Sequence, residues 1–124
     1  MTSWFLYLAF NAVHTPMDAT EDRRARFATE KDEKRRTYDA MMLAMDEAIG
    51  KVRKKLAETG LEQNTLVTFI SDNGGPTMPG TTMNGSVNTP LRGSKRTTLE
   101  GGIRVPLIVT GPAAGITSPA SQTT

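Results

Sequence analysis

The chain has 124 residues, 37% of them hydrophobic and 23% charged, which is the composition of one modest globular domain. Its formal net charge of +2 gives no dense basic surface, so nucleic-acid binding is not expected. The chain contains no cysteine, which excludes disulfides, zinc–thiolate sites and thiol catalysis, and no apolar run approaches the roughly 18 residues of a membrane span.

The chain opens on a short apolar run rich in aromatic residues. Residues 4–10 are too few for a typical helix and show no alternation of polar and apolar positions, so they predict a strand buried on both faces. The run has neither the basic start nor the small-residue cleavage site of a signal peptide. A chain that opens inside a buried strand is expected to be part of a longer domain.

A loop and a charged segment follow, and after them the apolar residues recur with the spacing of a helix. Residues 11–20 contain the single histidine, His14. Residues 20–39 are rich in charges of both signs, a pattern typical of a solvated helical face or a mobile segment. From Tyr38 onwards apolar residues recur on one face at a spacing of about 3.6 residues, and Gly60 stands where a helix commonly ends. We therefore predict an amphipathic helix between these two residues.

Two further apolar runs are predicted as strands. Residues 65–70 are rich in β-branched and aromatic side chains, and they end abruptly at Ser-Asp-Asn-Gly-Gly, residues 71–75. The loop 76–98 is rich in Gly, Pro, Thr and Asn, and a loop of that length in a compact domain is usually functional or mobile. The third run, 103–109, contains a proline, which suggests an irregular or edge strand. Small polar residues at 113–124 suggest a tail that frays.

The order strand, helix, strand predicts a right-handed βαβ unit with mainly parallel strands, and hence an α/β fold. Ligands of open α/β sheets bind beyond the carboxyl ends of the strands. His14 follows the first predicted strand closely, and Asp72 and Asn73 directly follow the second. Because parallel strands end at the same edge, we expect these three side chains to lie on one edge of the sheet.

Four residues are candidates for chemistry. Asp72 and Asn73 offer a carboxylate and an amide carbonyl, hard oxygen ligands of the kind that Ca²⁺ or Mg²⁺ takes. The same Asp-Asn-Gly-Gly sequence is also an ideal tight turn, and composition alone favours the turn. His14 could act as acid, base or hydrogen-bond donor, although a lone loop histidine is more often structural. Lys95 lies in a basic cluster, which is usually solvated, but a cation there could hold an anionic group.

Four segments, taken in order, resemble the sulfatase family of the alkaline phosphatase superfamily. They are 5–16, which ends on His-Thr-Pro; 46–50, within the predicted helix; 66–75, which ends on Ser-Asp-Asn-Gly-Gly; and 90–106, which contains Pro-Leu-Arg-Gly-Ser-Lys and Glu-Gly-Gly-Ile-Arg-Val-Pro. The resemblance implies that the chain is the C-terminal part of a sulfatase catalytic domain with a partial sulfatase-like fold. We accordingly divide it into a partial catalytic domain, 1–112, and the tail.

The resemblance implies a role for each candidate residue. Asp72 and Asn73 would be two ligands of a Ca²⁺ ion. His14 would contact the sulfate ester and could protonate the leaving alcohol. Lys95 would bind the sulfate oxygens and offset the charge that develops in the transition state. The parent protein is then expected to be a sulfuric ester hydrolase acting on a sulfated small molecule or glycan, with no nucleic-acid partner.

The chain departs from the family pattern at the nucleophile. The family uses a hydrated formylglycine made within a Cys/Ser-x-Pro-x-Arg motif, and this sequence has no such motif and no early Asp-Asp pair. The chain alone is therefore expected to be inactive and to bind Ca²⁺ weakly, because two oxygens fall short of the roughly six or more that Ca²⁺ prefers. A phosphonate or phosphate ester hydrolase of the same superfamily, or a non-catalytic truncated remnant, are the alternatives.

Two further expectations concern the cellular setting. The habit of the family suggests a periplasmic, secreted or lysosomal location, and the sequence gives no indication of the oligomeric state. Asn84-Gly85-Ser86 matches the sequon for N-glycosylation, which has meaning only in a eukaryotic secretory setting.

Overall fold

The protein consists of two packed helices, a long irregular segment and a small sheet. The structure, a computed structural model, describes residues 3–112 and 115–121. In chain order the elements are helices α1 (Glu21–Ala25) and α2 (Glu33–Glu58), a 3₁₀ turn (Glu62–Asn64), strand β1 (Val67–Ile70), the short helix α3 (Glu100–Ile103), and strands β2 (Leu107–Gly111) and β3 (Ile116–Ser121). None of the helices in these ranges has both the length and the apolar character needed to cross a membrane.

Helix α2 has a defined cap at each end. The carboxylate of Asp32 accepts hydrogen bonds from the backbone N–H groups of the second and third helical residues, at 2.8 and 3.1 Å. At the other end Gly60 has a φ of 70°, and the N–H groups of Gly60 and Leu61 bond back to carbonyls of the last turn. The helix predicted between Tyr38 and Gly60 is confirmed, but it begins more than a turn earlier, at Glu33, because the cap lies there.

Helix α1 packs against α2, and the buried apolar core lies on this pair. Among the described residues, the buried hydrophobic side chains are those of Ala40, Met41 and Leu56, all on α2. Arg23 of α1 donates hydrogen bonds of 2.8 and 3.2 Å to the carboxylate of Glu47 on α2, and this carboxylate raises the pKa of Arg23. The charged segment before α2 is thus helical at Glu21–Ala25 and is tied to α2 by ion pairs.

The three strands form an antiparallel sheet in the order β1-β2-β3. Val67 pairs with Thr110 and Ile70 with Leu107, so β2 runs back along β1, and β3 in turn runs back along β2. The predicted βαβ unit with parallel strands is therefore wrong for the described residues. Apolar patterning identifies a strand but not the direction of its neighbour, and the long connection between β1 and β2 can return the chain in either direction.

The third apolar run enters the central strand β2 only at Leu107, whereas Ile103 ends α3 and residues 104–106 are irregular, as the proline suggested; the alternative of an edge strand is wrong. Pro106 lies just before β2 begins at Leu107, so it removes no hydrogen bond from the ladder. Where a frayed tail was expected, Ile116–Ser121 forms the outer strand β3, while residues 113–114 and 122–124 lie outside the described residues. The division of the chain after residue 112 stays a prediction.

The first apolar run is not a strand. Residues 3–10 have no regular secondary structure, and the side chains of Phe5 and Tyr7 are 89% and 80% exposed. The prediction of a strand buried on both faces is wrong here, because a strand needs a neighbour for its backbone hydrogen bonds and a packed layer over each of its faces. Within the described residues, the sheet contains only β1, β2 and β3, and none of them pairs with this run.

Candidate active site

His14 lies in the loop after the first apolar run, and one nitrogen of its ring is held by the backbone. The N–H of His14 donates to the carbonyl of Asn11 at 2.7 Å, which closes a turn. The ring Nδ1 lies 2.6 Å from the carbonyl oxygen of Thr15. Because a carbonyl oxygen only accepts, Nδ1 carries the hydrogen of this bond, which assigns the tautomer. The other nitrogen, Nε2, is left to take up or release a proton.

The free nitrogen of His14 faces Lys95, which is 81 residues away in the chain. Nε2 lies 3.4 Å from the Lys95 Nζ. Within the described part of the chain, Lys95 forms no ion pair with a carboxylate, whereas Arg23 and Arg24 of α1 are both paired with glutamates. An unpaired ammonium group attracts an anionic group, because it can donate charge-assisted hydrogen bonds to it, and Nε2 can add a further hydrogen bond when it also carries a proton.

A buried asparagine holds the His14 loop in place. The amide Nδ2 of Asn84 donates to the carbonyl of Val13 at 2.8 Å, and Asn84 is only 5% exposed. Beside it, Arg35 of α2 donates to the carbonyl of Gly85 at 3.2 Å. Asn84, the asparagine of the glycosylation sequon, therefore has a structural role. Its Nδ2, the atom that would carry a glycan, donates the hydrogen bond to the carbonyl of Val13.

Asp72 and Asn73 lie in the turn directly after β1. The Ser71 hydroxyl donates to the carbonyl of Asn73 at 2.9 Å, and the Asn73 amide donates to the carbonyl of Gly74 at 3.1 Å. The turn is thus held partly by its own side chains, as an ordinary tight turn would be. The exposed carboxylate of Asp72 has no hydrogen bond or ion pair within the described residues, and the side-chain oxygen of Asn73 accepts none there. Both oxygens are available to a ligand.

A close backbone approach joins this turn to the segment that carries Lys95. The N–H of Gly74 donates to the carbonyl of Gly102 at 3.0 Å, and a Cβ added at Gly74 would collide with the carbonyl oxygen of Gly101. The carbonyl of Gly75 accepts from the backbone N–H of Lys95 at 3.1 Å. Glycine at position 74 is therefore required by the contact between two backbones.

Two residues that the sequence did not single out complete this junction. The amide of Asn88 accepts from the N–H of Gly75 at 3.0 Å and donates to its carbonyl at 2.8 Å. The hydroxyl of Ser94, which is fully buried, also donates to the Gly75 carbonyl, at 3.2 Å. Isolated polar residues in an irregular segment show no periodicity, so the only sequence signal for them was the unusual length of the loop 76–98.

The described residues do not form a complete metal site by themselves. Across residues 3–112 and 115–121, no group of three or more His, Cys, Asp or Glu side chains could hold a metal ion. The free oxygens of Asp72 and Asn73 suit Ca²⁺ in their chemistry, but Ca²⁺ takes about six to eight oxygen ligands. The two residues therefore fit as one part of a ligand set.

The candidate residues come together through loops. His14 and Lys95 are in contact, and hydrogen bonds to Gly75 join the Asp72–Asn73 turn to the Lys95 segment. Within the described residues, no hydrogen bond links His14 directly to that turn. We expected these residues to meet at one edge of a sheet of parallel strands. That expectation is wrong, because β1, β2 and β3 are all paired antiparallel.

Comparison with known proteins identifies close sequence relatives. The sulfatase family model matches residues 1–122. Arylsulfatase J of Mus musculus is 41% identical over 109 residues, which are 87% of this chain and 17% of that protein. N-acetylgalactosamine-6-sulfatase of Mus musculus is 36% identical over 109 residues, 88% of this chain and 20% of that protein. A sulfatase of Formosa agariphila is 35% identical and covers 98% of this chain, which aligns with 23% of that protein.

The likeness extends to three-dimensional structure. The crystal structure of Ps i-CgsB in complex with k-i-k-neocarrahexaose matches 87% of this chain with a TM-score of 0.80 and 42% identity, and the match covers 23% of that chain. This chain thus spans about a fifth of the length of its sequence relatives. Since the family model covers nearly all of its residues, the chain belongs to the sulfatase family.

Proposed function

We propose that this chain forms part of the active site of a sulfuric ester hydrolase, in which His14 and Lys95 bind the sulfate ester group. The observation that carries the proposal is the 3.4 Å contact between the His14 Nε2 and the Lys95 Nζ. A cation without a carboxylate partner in the described residues lies beside a nitrogen that can exchange a proton, in a chain of the sulfatase family. This pair suits an anionic ester whose leaving group needs a proton.

Lys95 would act on the charge of the sulfate group. A sulfate ester is anionic, and negative charge builds up on the leaving oxygen as the sulfur–oxygen bond breaks. The ammonium group of Lys95 can donate hydrogen bonds to the sulfate oxygens and stabilise this charge. Its backbone N–H is fixed on the Gly75 carbonyl, so the base of the side chain stays in place while the ammonium group reaches the ester.

His14 would act as the proton donor. Its Nδ1–H is held by the carbonyl of Thr15, which orients the ring and directs Nε2 towards Lys95. A proton on Nε2 could pass to the leaving alcohol oxygen, which makes the alcohol a better leaving group. Asn84 supports this role indirectly, because it anchors the adjacent carbonyl of Val13.

Asp72 and Asn73 would contribute two oxygen ligands to a Ca²⁺ site. The bound ion would supply positive charge close to the sulfate oxygens. The contribution of this chain is to hold the two ligands in a short turn at the end of β1 and to join that turn to the Lys95 segment. We expect calorimetry on the 124-residue chain to detect no micromolar Ca²⁺ binding, because two oxygens are too few. Micromolar affinity would contradict this assignment.

The nucleophile and the substrate belong to the same proposal. The sequence has no Cys/Ser-x-Pro-x-Arg motif, so we assign a formylglycine nucleophile to a part of the parent protein outside residues 1–124. The substrate class that we propose is a sulfated carbohydrate, supported by a relative whose name specifies N-acetylgalactosamine 6-sulfate chemistry. A periplasmic, secreted or lysosomal location would suit such a substrate.

The sulfate-binding role can be tested on the 124-residue chain by NMR. His14 is the only histidine, so its ring signals identify the site without ambiguity. Inorganic sulfate should shift the His14 ring signals in a saturable manner, whereas chloride at equal ionic strength should not. Lys95→Met should weaken sulfate binding by about tenfold to a hundredfold, because a charge-assisted hydrogen bond contributes about 1.5–3 kcal/mol.

The matched control is Lys51→Met, since Lys51 is exposed on α2 and has no ion pair within the described residues. This variant should bind sulfate like the wild type. The proposal fails if sulfate leaves the His14 ring unchanged, or if both lysine variants weaken binding equally.

A further inference from the structure

Asn88 binds one backbone residue through both ends of its side-chain amide. Its Oδ1 accepts from the N–H of Gly75 at 3.0 Å, and its Nδ2 donates to the carbonyl of the same residue at 2.8 Å. The same Nδ2 donates to the carbonyl of Gly93 at 3.1 Å. Both carbonyl oxygens require a donor, so the atom facing them must be nitrogen, which fixes the orientation of the amide.

These hydrogen bonds occupy both N–H groups of the Asn88 amide. An NH₂ group has two hydrogens, and the carbonyls of Gly75 and Gly93 take both. The third contact of Nδ2, with the Thr77 hydroxyl at 3.3 Å, is the longest of the three. A half-buried side chain with this pattern is held in one conformation, so it can fix the distance between the two segments that it joins.

The two segments carry the two halves of the candidate site. Gly75 ends the turn that contains Asp72 and Asn73, and Gly93 lies two residues before Lys95. Three donors meet on the Gly75 carbonyl: the Asn88 amide at 2.8 Å, the Lys95 backbone N–H at 3.1 Å and the Ser94 hydroxyl at 3.2 Å. The space for the amide exists because Gly75 has no side chain, since a Cβ there would lie 3.0 Å from the Asn88 Oδ1 and would clash with Ser86.

We propose that Asn88 is a positioning residue, which holds the Lys95 ammonium group against His14 and at a fixed place relative to the Asp72–Asn73 turn. Its side chain bonds to Gly75, Gly93 and Thr77, so it acts on Lys95 through the backbones of Gly75 and Gly93. Only the consequence for sulfate binding rests on the proposed function, whereas the effect on the contact between Lys95 and His14 does not.

Asn88→Asp separates hydrogen bonding from packing, because aspartate has nearly the same shape. A carboxylate can still accept from the Gly75 N–H, but it cannot donate, and it places negative charge against the carbonyls of Gly75 and Gly93. In the 124-residue chain, the His14 Nε2 NMR signal of this variant should move towards its position in Lys95→Met, where the contact with the ammonium group is absent. Hydrogen exchange at the Lys95 amide should become about tenfold faster, while the amides of α2 keep their wild-type rates.

Thr98→Ala is the matched control, because Thr98 is an exposed residue of the same segment with no hydrogen bond within the described residues. It should leave the His14 signal and the Lys95 exchange rate unchanged. If Asn88→Asp loses the helical signal of α2 and so fails to fold, Asn88→Ser provides the second variant. It removes the amide that joins Gly75 to Gly93 without adding a negative charge, and it should move the same two signals in the same direction.

The proposal is overturned if a folded Asn88→Asp chain, or Asn88→Ser where the former does not fold, keeps the wild-type His14 signal and Lys95 exchange rate. Sulfate binding is measured separately: inorganic sulfate should bind Asn88→Asp about tenfold more weakly than wild type, which is the lower end of the effect of losing one charge-assisted hydrogen bond. If wild type itself binds no sulfate, the proposed function fails. The His14 signal and the Lys95 exchange rate then still decide the role of Asn88.

Discussion

Gly74 illustrates how closely the site is packed at the level of single atoms. Its backbone lies against that of Gly101, and a Cβ at position 74 would meet the carbonyl oxygen of Gly101. Both sides of this contact are backbone, so neither can move aside as the end of a flexible side chain could. The contact is therefore intolerant of any side chain at position 74.

Gly74→Ala should lower the free energy of unfolding by about 1–3 kcal/mol, the usual cost of forcing extra atoms into a packed site. Gly50→Ala is the matched control, because Gly50 lies on the exposed side of α2 with nothing within 4 Å of the added Cβ. This control should stabilise the protein by about 0.5–1 kcal/mol, since alanine favours a helix over glycine. Urea unfolding of both variants measures the difference, and an equal response of the two would contradict the close approach.

The candidate site residues could be predicted from motifs, but the residues that hold them in place could not. His14, Asp72, Asn73 and Lys95 stand in segments whose order resembles the sulfatase family. Asn88 has no such signal, because its value depends on which backbone groups face it in three dimensions. A polar residue in an irregular loop gains a role only when the fold brings unpaired N–H and C=O groups to it.

At the scale of elements, α2 is specified by three local signals that agree. An apolar face recurs at helical spacing, Asp32 caps the start, and Gly60 turns the chain at the end. The strands carry less local information. The alternation of side chains shows that a segment is extended, but the partner and its direction are set by distant residues. For this reason the helix and its end at Gly60 were predicted correctly, although its start after Asp32 was placed too late, whereas the parallel pairing and the strand at 4–10 were wrong.

The start of α2 offers a direct test of its cap. Asp32→Ala removes the acceptor for two backbone N–H groups and should destabilise the protein by about 0.5–2 kcal/mol. Asp32→Asn keeps a side-chain oxygen in the same place and should lose much less. Circular dichroism during urea unfolding reads out both variants. Equal losses would show that the negative charge, and not the cap, stabilises the helix start.

At the scale of the whole molecule, the site depends on contacts between segments far apart in the chain. Asn84 joins its loop to Val13, Lys95 meets His14, and Asn88 ties the Lys95 segment to the turn after β1. Within the described residues the buried hydrophobic side chains all lie on α2, and none belongs to these loops. Hydrogen bonds, more than apolar packing, therefore set the geometry of the site.

The contact between His14 and Lys95 is the feature on which the functional proposal rests, and NMR can measure it directly. In the 124-residue chain, the His14 ring hydrogen next to Nε2 should show a nuclear Overhauser effect to the terminal methylene hydrogens of Lys95. The amide hydrogens of Asn84 should show one to residues beside Val13, which serves as an internal reference. A cross-peak between His14 and Lys95 is the predicted result. Its absence, while the Asn84 cross-peak is present, would contradict the shared site.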